Sequence, residues 1–337
     1  VHLLVTGAAG FIGANFVHHW TRRHATDRVV ALDALTYAGN PANLDGVRER
    51  ITFVHGDIGD LPAVEALLRE HRVDVVVNFA AESHNSLAVL DPQRFFATNV
   101  LGTQRLLEAC RRVGIARFHH VSTCEVYGDL ALDDPGAFAE DSPYRPRTPY
   151  NASKAGADHA VRAYHETFGL PVTITNCANN YGPYQFPEKV IPLFTTRALS
   201  DEPLPVYASS ANRREWLHVD DHCAAIERVL LAGRDGATYN VGSGVEVSVA
   251  DLATRILDLL GRPRTLLRTV PDRPGHDRRY LLDSTLLRTE LGWAPGVEFE
   301  PGLAGTVAWY AEHRRWWQPL RGRAAIDENA WTVDGIR

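Results

Sequence analysis

The chain has 337 residues, 45% hydrophobic and 23% charged, enough for one large or two modest globular domains with a substantial core. Its net charge of −6 at pH 7 gives no electrostatic case for nucleic acid, leaving room only for a local basic site for a phosphorylated small molecule. No apolar run approaches the roughly 18 residues of a membrane span, and four scattered cysteines (110, 124, 177, 223) without a Cys-x-x-Cys pair argue against zinc or a disulfide framework, so no metal and a reducing cytoplasm are expected.

The first half alternates short β-branched runs with longer amphipathic ones. Strands are expected at His2–Thr6, Arg28–Asp33, Ile51–His55, Asp74–Phe79, Arg117–Ser122 and Val172–Asn176, and helices at Phe11–His24, Leu61–His71, Gln93–Val113 and Pro149–Phe168. The chain opens directly on a strand pattern, so no secretory signal is expected. This alternation implies βαβ units: an α/β fold with a Rossmann-type, doubly wound parallel sheet. After about residue 177 Pro and Gly become frequent, with helices expected near Lys189–Leu199, Asp220–Ala232, Val249–Leu260 and Pro301–Arg315. We therefore expect a nucleotide-binding domain over 1–177 and a smaller C-terminal substrate-binding α/β domain over 178–337, with later segments returning to the first. The helices at Gln93–Val113 and Pro149–Phe168 carry apolar residues beyond one face, which suggests a homodimer.

Gly7-Ala-Ala-Gly10-Phe11-Ile12-Gly13 follows an apolar strand and opens a helix. Glycines there permit a tight turn and close approach of backbone to a pyrophosphate, whose charge sits at the helix N-terminus. A Gly pattern alone is weak, but here it has its strand before and its helix after. Asp33 ends the second strand, where a carboxylate accepts both ribose hydroxyls and repels a 2′-phosphate, so NAD is expected rather than NADP. Asp57 and Ile58, in His-Gly-Asp-Ile, together with Ala80 and Ala81, are further candidates for lining the cofactor.

Tyr150 and Lys154 are four residues apart and share a helix face. A nearby ammonium lowers a phenol's pKa, letting Tyr150 act as a base toward an alcohol while a nicotinamide takes the hydride. Thr123 ends the preceding strand and can hold the reacting hydroxyl. Once that alcohol is a ketone, the neighbouring C–H is acidified, and Glu125 can take its proton. Cys124 between them reads either as a small buried hydrophobe or as a chemical group.

These residues, with Leu-Thr-Tyr-Ala-Gly-Asn (35–40), Ala80-Ala81-Glu82-Ser83-His84, Glu125-Val-Tyr-Gly, Asn179-Asn-Tyr-Gly-Pro-Tyr, Phe186-Pro-Glu188-Lys189, Arg214-Glu-Trp-Leu and Asp272-Arg273-Pro-Gly-His276-Asp-Arg-Arg-Tyr280, span nearly the whole chain. The pattern resembles the extended short-chain dehydrogenase/reductases of dTDP-glucose 4,6-dehydratase type. The resemblance implies C4 oxidation of a dTDP-hexose by NAD, C5 proton removal by Glu125, loss of water from C6 and hydride return to C6, giving a 4-keto-6-deoxy sugar. It implies substrate contacts from Ser83, His84, Asn179, Glu188, Lys189, Asn240, His276 and Tyr280, and a diphosphate clamp from Arg214 and Arg273. The nucleotide rests on the resemblance alone, and a UDP-sugar stays open.

Two departures stand out. Cys124 replaces the Asp that, in the family, protonates the departing C6 hydroxyl. Ser83-His84-Asn85-Ser86-Leu87-Ala88 replaces Ser-His-Val-Asp-Arg-Ser. A related group with Thr-Cys-Glu forms an exocyclic 5,6-ene and returns hydride to C4, which makes that product the alternative. A 4-epimerase fits less well, because Glu125 and Phe-Pro-Glu-Lys suit dehydratases. A non-catalytic NAD-binding sensor is the alternative of another class, although Tyr150 and Lys154 are both retained.

Overall fold

Apolar β-branched runs form a seven-stranded parallel sheet in the computed structural model, which describes residues 1–323. Its strands are β1 (His2–Thr6), β2 (Arg28–Asp33), β3 (Ile51–His55), β4 (Val75–Asn78), β5 (Arg117–Thr123) and β6 (Val172–Cys177). Then β7 (Asn179–Tyr181), β8 (Leu204–Tyr207) and β9 (Arg213–His218) leave the sheet, and β10 (Thr238–Val241) returns beside β6. The order is β10-β6-β5-β4-β1-β2-β3. Strand order reverses at β1 and β4, so a crevice opens beyond their carboxyl ends.

Helices cover both faces. Helices α1 (Phe11–Arg23) and α2 (Leu61–Glu70) come first, then the short α3 (Asn85–Leu90) and α4 (Pro92–Phe95), then α5 (Thr103–Val113) and α6 (Pro149–Phe168). On one face Val64, Leu67, Leu106, Leu107 and Val161 of α2, α5 and α6 pack on Leu4, Val76 and Phe118 of the sheet. On the other, Phe16, Val17 and Trp20 of α1 meet Ile226 and Leu230, which belong to a later helix. The long α6 starts at Thr148, whose Oγ1 accepts from Asn151 N at 3.2 Å, and Pro149 follows at the first position, where its missing N–H costs nothing. It stops at Gly169, which takes the left-handed conformation (φ 68°).

Beyond the sheet come α7 (Val190–Ala198), α8 (Val219–Ala232), α9 (Val249–Leu259), α10 (Thr285–Leu291), α11 (Phe299–Glu312) and α12 (Arg314–Trp317), with β11 (Glu246–Ser248) and β12 (Leu267–Val270). β11, β9 and β7 form a three-stranded sheet, and β12 pairs with β8. A separate core of Ile191, Phe194, Trp216, Leu252, Ile256 and Leu303 holds this part together.

The expected strands all form, within one residue at each end. The expected helix at Gln93–Val113 is interrupted: residues Phe96–Gly102 take a wide π turn between α4 and α5. That turn carries Asn99, whose Oδ1 accepts from Glu82 N at 2.8 Å and whose Nδ2 donates to Ser153 Oγ at 2.8 Å. The irregular turn thus ties the loop after β4 to α6, a use common for π turns near functional sites. The last residues of the expected C-terminal domain, 324–337, lie outside the described ones.

Candidate active site

The crevice at the β1/β4 switch point opens into a cleft of about 350 Å³. Gly7 sits at φ +63°, and a Cβ there would lie 2.7 Å from Ala80 N, so the loops after β1 and β4 approach closely only because Gly7 has no side chain. Gly10 caps α1, and a Cβ on it would press against Gly7 O at 3.2 Å. Asp33 is buried at the end of β2. Its Oδ2 accepts from Ala9 N at 2.9 Å and its Oδ1 from Leu35 N at 2.7 Å. Burial raises its pKa, opposed by those backbone N–H groups. Phe11, Ile12, Gly13, Asp57, Ile58, Ala80 and Ala81 complete this end of the wall, so every residue expected to hold the cofactor lines one continuous cleft.

At its inner end the cleft is walled by Thr123, Glu125, Tyr150, Lys154 and Cys177. Thr123 ends β5, and its Oγ1 accepts from Glu125 N at 3.2 Å, opening a short 3₁₀ turn that turns Glu125 inward. Burial raises the Tyr150 phenol well above its ordinary pKa; the Glu125 charge adds to this, and a hydrogen bond with Thr123 opposes it. This differs from the expected Lys-lowered phenol. Lys154 is itself buried: its Nζ donates to Val121 O at 2.8 Å and lies 3.2 Å from His120 Nε2. Burial lowers its pKa, opposed first by Asp158. Asn85, in the segment that departs from the family pattern, places its Nδ2 3.3 Å from Glu125 Oε2. Sequence reasoning noted that a charged pair was lost there, and missed the amide that now faces the carboxylate.

A second cleft of about 660 Å³ joins the first. Glu125, Asn85, Asn179, Phe186, Glu188 and Lys189 line both. Lys189 Nζ donates to Ser83 O at 2.6 Å, and the Tyr37 hydroxyl donates to Glu188 Oε1 at 2.8 Å. His84 Nε2 lies 3.5 Å from Glu188 Oε2. Farther out stand Arg214, Arg273, His276 and Tyr280. The Arg214 guanidinium lies 4.8 Å over the Tyr280 ring, and Arg273 Nη1 is buried without a hydrogen-bond acceptor, a donor left for an anion. Burial, with Arg214 and Arg273 beside it, lowers the His276 pKa to about 3, so this end carries cationic arginines and a neutral imidazole.

Two expected site residues do not reach either cleft. Asn240, on β10, is fully buried; its Oδ1 accepts from the Tyr127 hydroxyl at 2.8 Å and its Nδ2 donates to Phe138 O at 2.9 Å, so its amide is consumed in the core. Cys124 is 1% exposed and packs among Val126, Tyr127, Cys177 and Tyr280. Burial and the neighbouring Glu125 raise its pKa well above the thiol range, so it is an uncharged group behind the wall. Of the two readings open for Cys124, the geometry takes the buried hydrophobe. Phe186, Gln185 and Tyr207 line the clefts without having been foreseen.

A Gly-rich loop at the switch point of a parallel sheet, a carboxylate ending β2 and a Tyr-x-x-x-Lys pair facing the same cleft define the extended short-chain dehydrogenase/reductase class. Within it, the chain belongs to the GDP-mannose 4,6 dehydratase family, which matches residues 4–306. It is 52% identical over 336 residues to a dTDP-glucose 4,6-dehydratase of Xanthomonas campestris, covering 94% of each chain. It is 48% identical to one of Streptomyces niveus, covering 95% of this chain and 96% of the relative. The crystal structure of DesIV, a dTDP-glucose 4,6-dehydratase of Streptomyces venezuelae with NAD bound, superposes with a TM-score of 0.92 at 50% identity, covering 95% of this chain and 100% of that one. A UDP-glucose 4-epimerase of Thermus thermophilus in complex with NAD gives 0.87 at 31% identity, covering 93% and 100%.

Proposed function

We propose that this protein is an NAD-dependent nucleotide-sugar dehydratase that takes a dTDP-hexose such as dTDP-glucose and removes water across C5 and C6 after oxidation at C4. The observation that carries the reading is the placing of Thr123 and Tyr150 in the first cleft beside Glu125, which lines both clefts, with the nucleotide loop along the first and Arg214 and Arg273 along the second. The relatives named as dTDP-glucose 4,6-dehydratases support it. NAD fits the first cleft because Gly7, Gly10 and Gly13 carry no side chain at the N-terminus of α1 and Asp33 lines the same cleft at the end of β2. Residues 1–177 with β10 serve the cofactor in this reading, and the rest of 178–337 serves the sugar nucleotide.

Bound NAD supplies a cationic hydride acceptor, which also favours the phenolate of Tyr150. Tyr150 takes the proton of the 4-hydroxyl, and Thr123 holds that oxygen. Glu125, oriented by Asn85, removes the proton at C5 that the new ketone acidifies. Arg214 and Arg273 bind the diphosphate, which removes the desolvation cost of the unpaired Arg273 nitrogen. Glu188 and Lys189, held by Tyr37 and the Ser83 carbonyl, face the hexose. With Cys124 in the core, the departing C6 hydroxyl takes its proton from another group, and Glu125, carrying the C5 proton, is the donor in this reading.

The 4-keto-6-deoxy sugar is the leading product. The uncharged, buried Cys124 favours a second reading, in which water loss ends at the 5,6-ene and hydride returns to C4. NMR of products from dTDP-glucose and UDP-hexoses separates the two, and no turnover despite bound NAD returns the sensor reading. The protein acts as a homodimer in our reading: Phe96, Leu101 and Phe168 are exposed on the α4–α6 side. Light scattering at micromolar concentration tests that, and a monomer contradicts it.

A further inference from the structure

The run 34–40 leaves Asp33 at the end of β2 and forms a strap along the cofactor cleft, which Ala34, Thr36, Ala38 and Gly39 line. Two of its ties lie within the nucleotide-binding part. Leu35 N donates to Asp33 Oδ1 at 2.7 Å, and Asn40 N donates to Ala9 O at 3.0 Å. Leu35 takes a left-handed backbone (φ 51°), which a leucine adopts only where its surroundings impose it. A third tie crosses to the segment that leads into α7. The Tyr37 hydroxyl donates to Glu188 Oε1 at 2.8 Å, 151 residues further along the chain. The Tyr37 ring meets Phe186 edge-on at 5.5 Å and His84 at 6.0 Å.

Packing accounts for the Tyr37 ring, and a phenylalanine would serve that purpose. It does not account for a hydroxyl set on a carboxylate that is only 6% exposed. Burial and the Glu188 charge raise the Tyr37 pKa, so the hydroxyl remains a donor. Glu188 lines both clefts. Its second oxygen, Oε2, accepts no hydrogen bond among the described residues; His84 Nε2 stands 3.5 Å from it. A buried carboxylate oxygen without a donor is costly, and a hexose hydroxyl is a donor that can relieve it. The cofactor strap and the sugar would then share one carboxylate.

We propose that Tyr37 couples the hexose site to cofactor retention: a sugar hydroxyl on Glu188 Oε2 fixes the carboxylate that holds the strap, and the strap then releases NAD more slowly. Tyr37 acts through Glu188 and is a positioning residue. The coupling rests on the dehydratase reading, in which hydride leaves the sugar and returns to it. It adds that the cofactor is held most tightly while the sugar is bound, the interval in which the cofactor stores that hydride. A carboxylate already fixed by the sugar costs the Tyr37 bond less to hold in place, which makes the two ligands support each other. A nucleoside diphosphate without its sugar occupies Arg214 and Arg273 alone in this reading, leaves Glu188 Oε2 unpaired, and does not tighten the strap.

The test loads the protein with radiolabelled NAD, adds excess unlabelled NAD, and follows loss of label by rapid gel filtration. It is run without ligand, with saturating dTDP, and with saturating dTDP-4-deoxy-4-fluoroglucose, which keeps the hexose but lacks the hydroxyl that the reaction oxidises. In the wild type the fluoro compound should slow exchange about tenfold more than dTDP does, the order expected of one hydrogen bond to a charged group. In Tyr37→Phe, which removes only the hydroxyl, the fluoro compound and dTDP should give the same exchange rate. Loss of packing alone would speed exchange equally in all three conditions and leave the tenfold ratio standing, and that result overturns the coupling. So does a wild type in which both ligands slow exchange equally. Should Tyr37→Phe not fold, Glu188→Gln, which uncharges the shared acceptor, should shrink the ratio, and an unchanged ratio there overturns the coupling as well. The same preparation is assayed with dTDP-glucose: turnover without the ratio sinks the coupling alone, whereas no turnover with any dTDP- or UDP-hexose overturns the dehydratase reading and the coupling with it.

Discussion

Gly10 and Gly13 belong to one loop, yet an added methyl should cost stability unequally at the two positions. At Gly13, inside α1, the new Cβ would lie 2.2 Å from Gly7 O and 2.9 Å from Gly7 C. Both are backbone atoms of the turn and cannot swing aside. Alanine in a helix interior ordinarily gains about 1 kcal/mol over glycine. Overpacking against fixed backbone costs about 1–3 kcal/mol, and a 2.2 Å contact belongs at the upper end, so Gly13→Ala should lose about 2 kcal/mol net and its cofactor as well. At Gly10 the Cβ meets only Gly7 O, at 3.2 Å, and φ is −77°, which any residue adopts. Gly10 is also the N-cap of α1, where alanine is poorer than glycine, so Gly10→Ala should cost roughly 0.5–1 kcal/mol, less than Gly13→Ala. Its methyl enters the space where backbone must approach pyrophosphate, so NAD retained through purification should fall about tenfold, roughly 1.4 kcal/mol. Thermal melting and chromatography of nucleotide released on denaturation give both readouts. A Gly10→Ala protein carrying wild-type amounts of NAD refutes the cradle, and a Gly13→Ala protein as stable as wild type refutes the steric argument.

Glu125→Gln keeps the shape but not the base; it should accumulate bound NADH with dTDP-glucose and incorporate no solvent deuterium at C5, whereas normal incorporation removes Glu125 from that role. Cys124→Asp places a carboxyl among Val126, Tyr127 and Tyr280, beside the charges of Glu125 and Glu215. It should stay protonated and cost about 1–3 kcal/mol of stability, and from behind the wall it should leave the product read by NMR unchanged; a raised yield of 4-keto-6-deoxy sugar would place residue 124 at the reacting sugar and contradict its burial. Glu215 is fully buried and accepts from Gly244 N and Leu282 N, and burial raises its pKa to about 7. Its folded-state pKa lies above the unfolded one, so its contribution is fully present below about pH 4.5 and is lost as pH rises through 7. Between pH 4.5 and 8, denaturation of Glu215→Gln should therefore gain on wild type by roughly 3 kcal/mol; a constant difference contradicts the burial argument.

The sheet, the nucleotide loop and the Tyr150/Lys154 pair were legible because each depends on local pattern: short continuous β-branched runs, glycines between strand and helix, and a four-residue helical repeat. What was not legible depends on partners far away in sequence. β10 is four residues in a Gly-rich stretch, too short to declare that it pairs with β6. Asn240 carries no local sign that Tyr127 and Phe138, more than a hundred residues earlier, consume its amide. Asn85 could be noted as a substitution, but only the fold brings it to Glu125. Asp158 stands one turn after Lys154 on α6 and was passed over, because an acid at that spacing is an ordinary surface pair until its burial is seen. The π turn at Phe96–Gly102 interrupts a run whose sequence suits a regular helix, and what it positions, Asn99 between Glu82 and Ser153, is again a long-range contact.

The central claim is that one cleft oxidises, dehydrates and returns the sugar without exchanging its cofactor. It is tested most directly by incubating the purified protein with dTDP-glucose in deuterated buffer, adding no nicotinamide, and reading the product by NMR. The expected result is many turnovers to a 4-keto-6-deoxy sugar carrying one solvent deuterium at C5. Turnover that requires stoichiometric added NAD, or a product with the 6-hydroxyl intact, contradicts it.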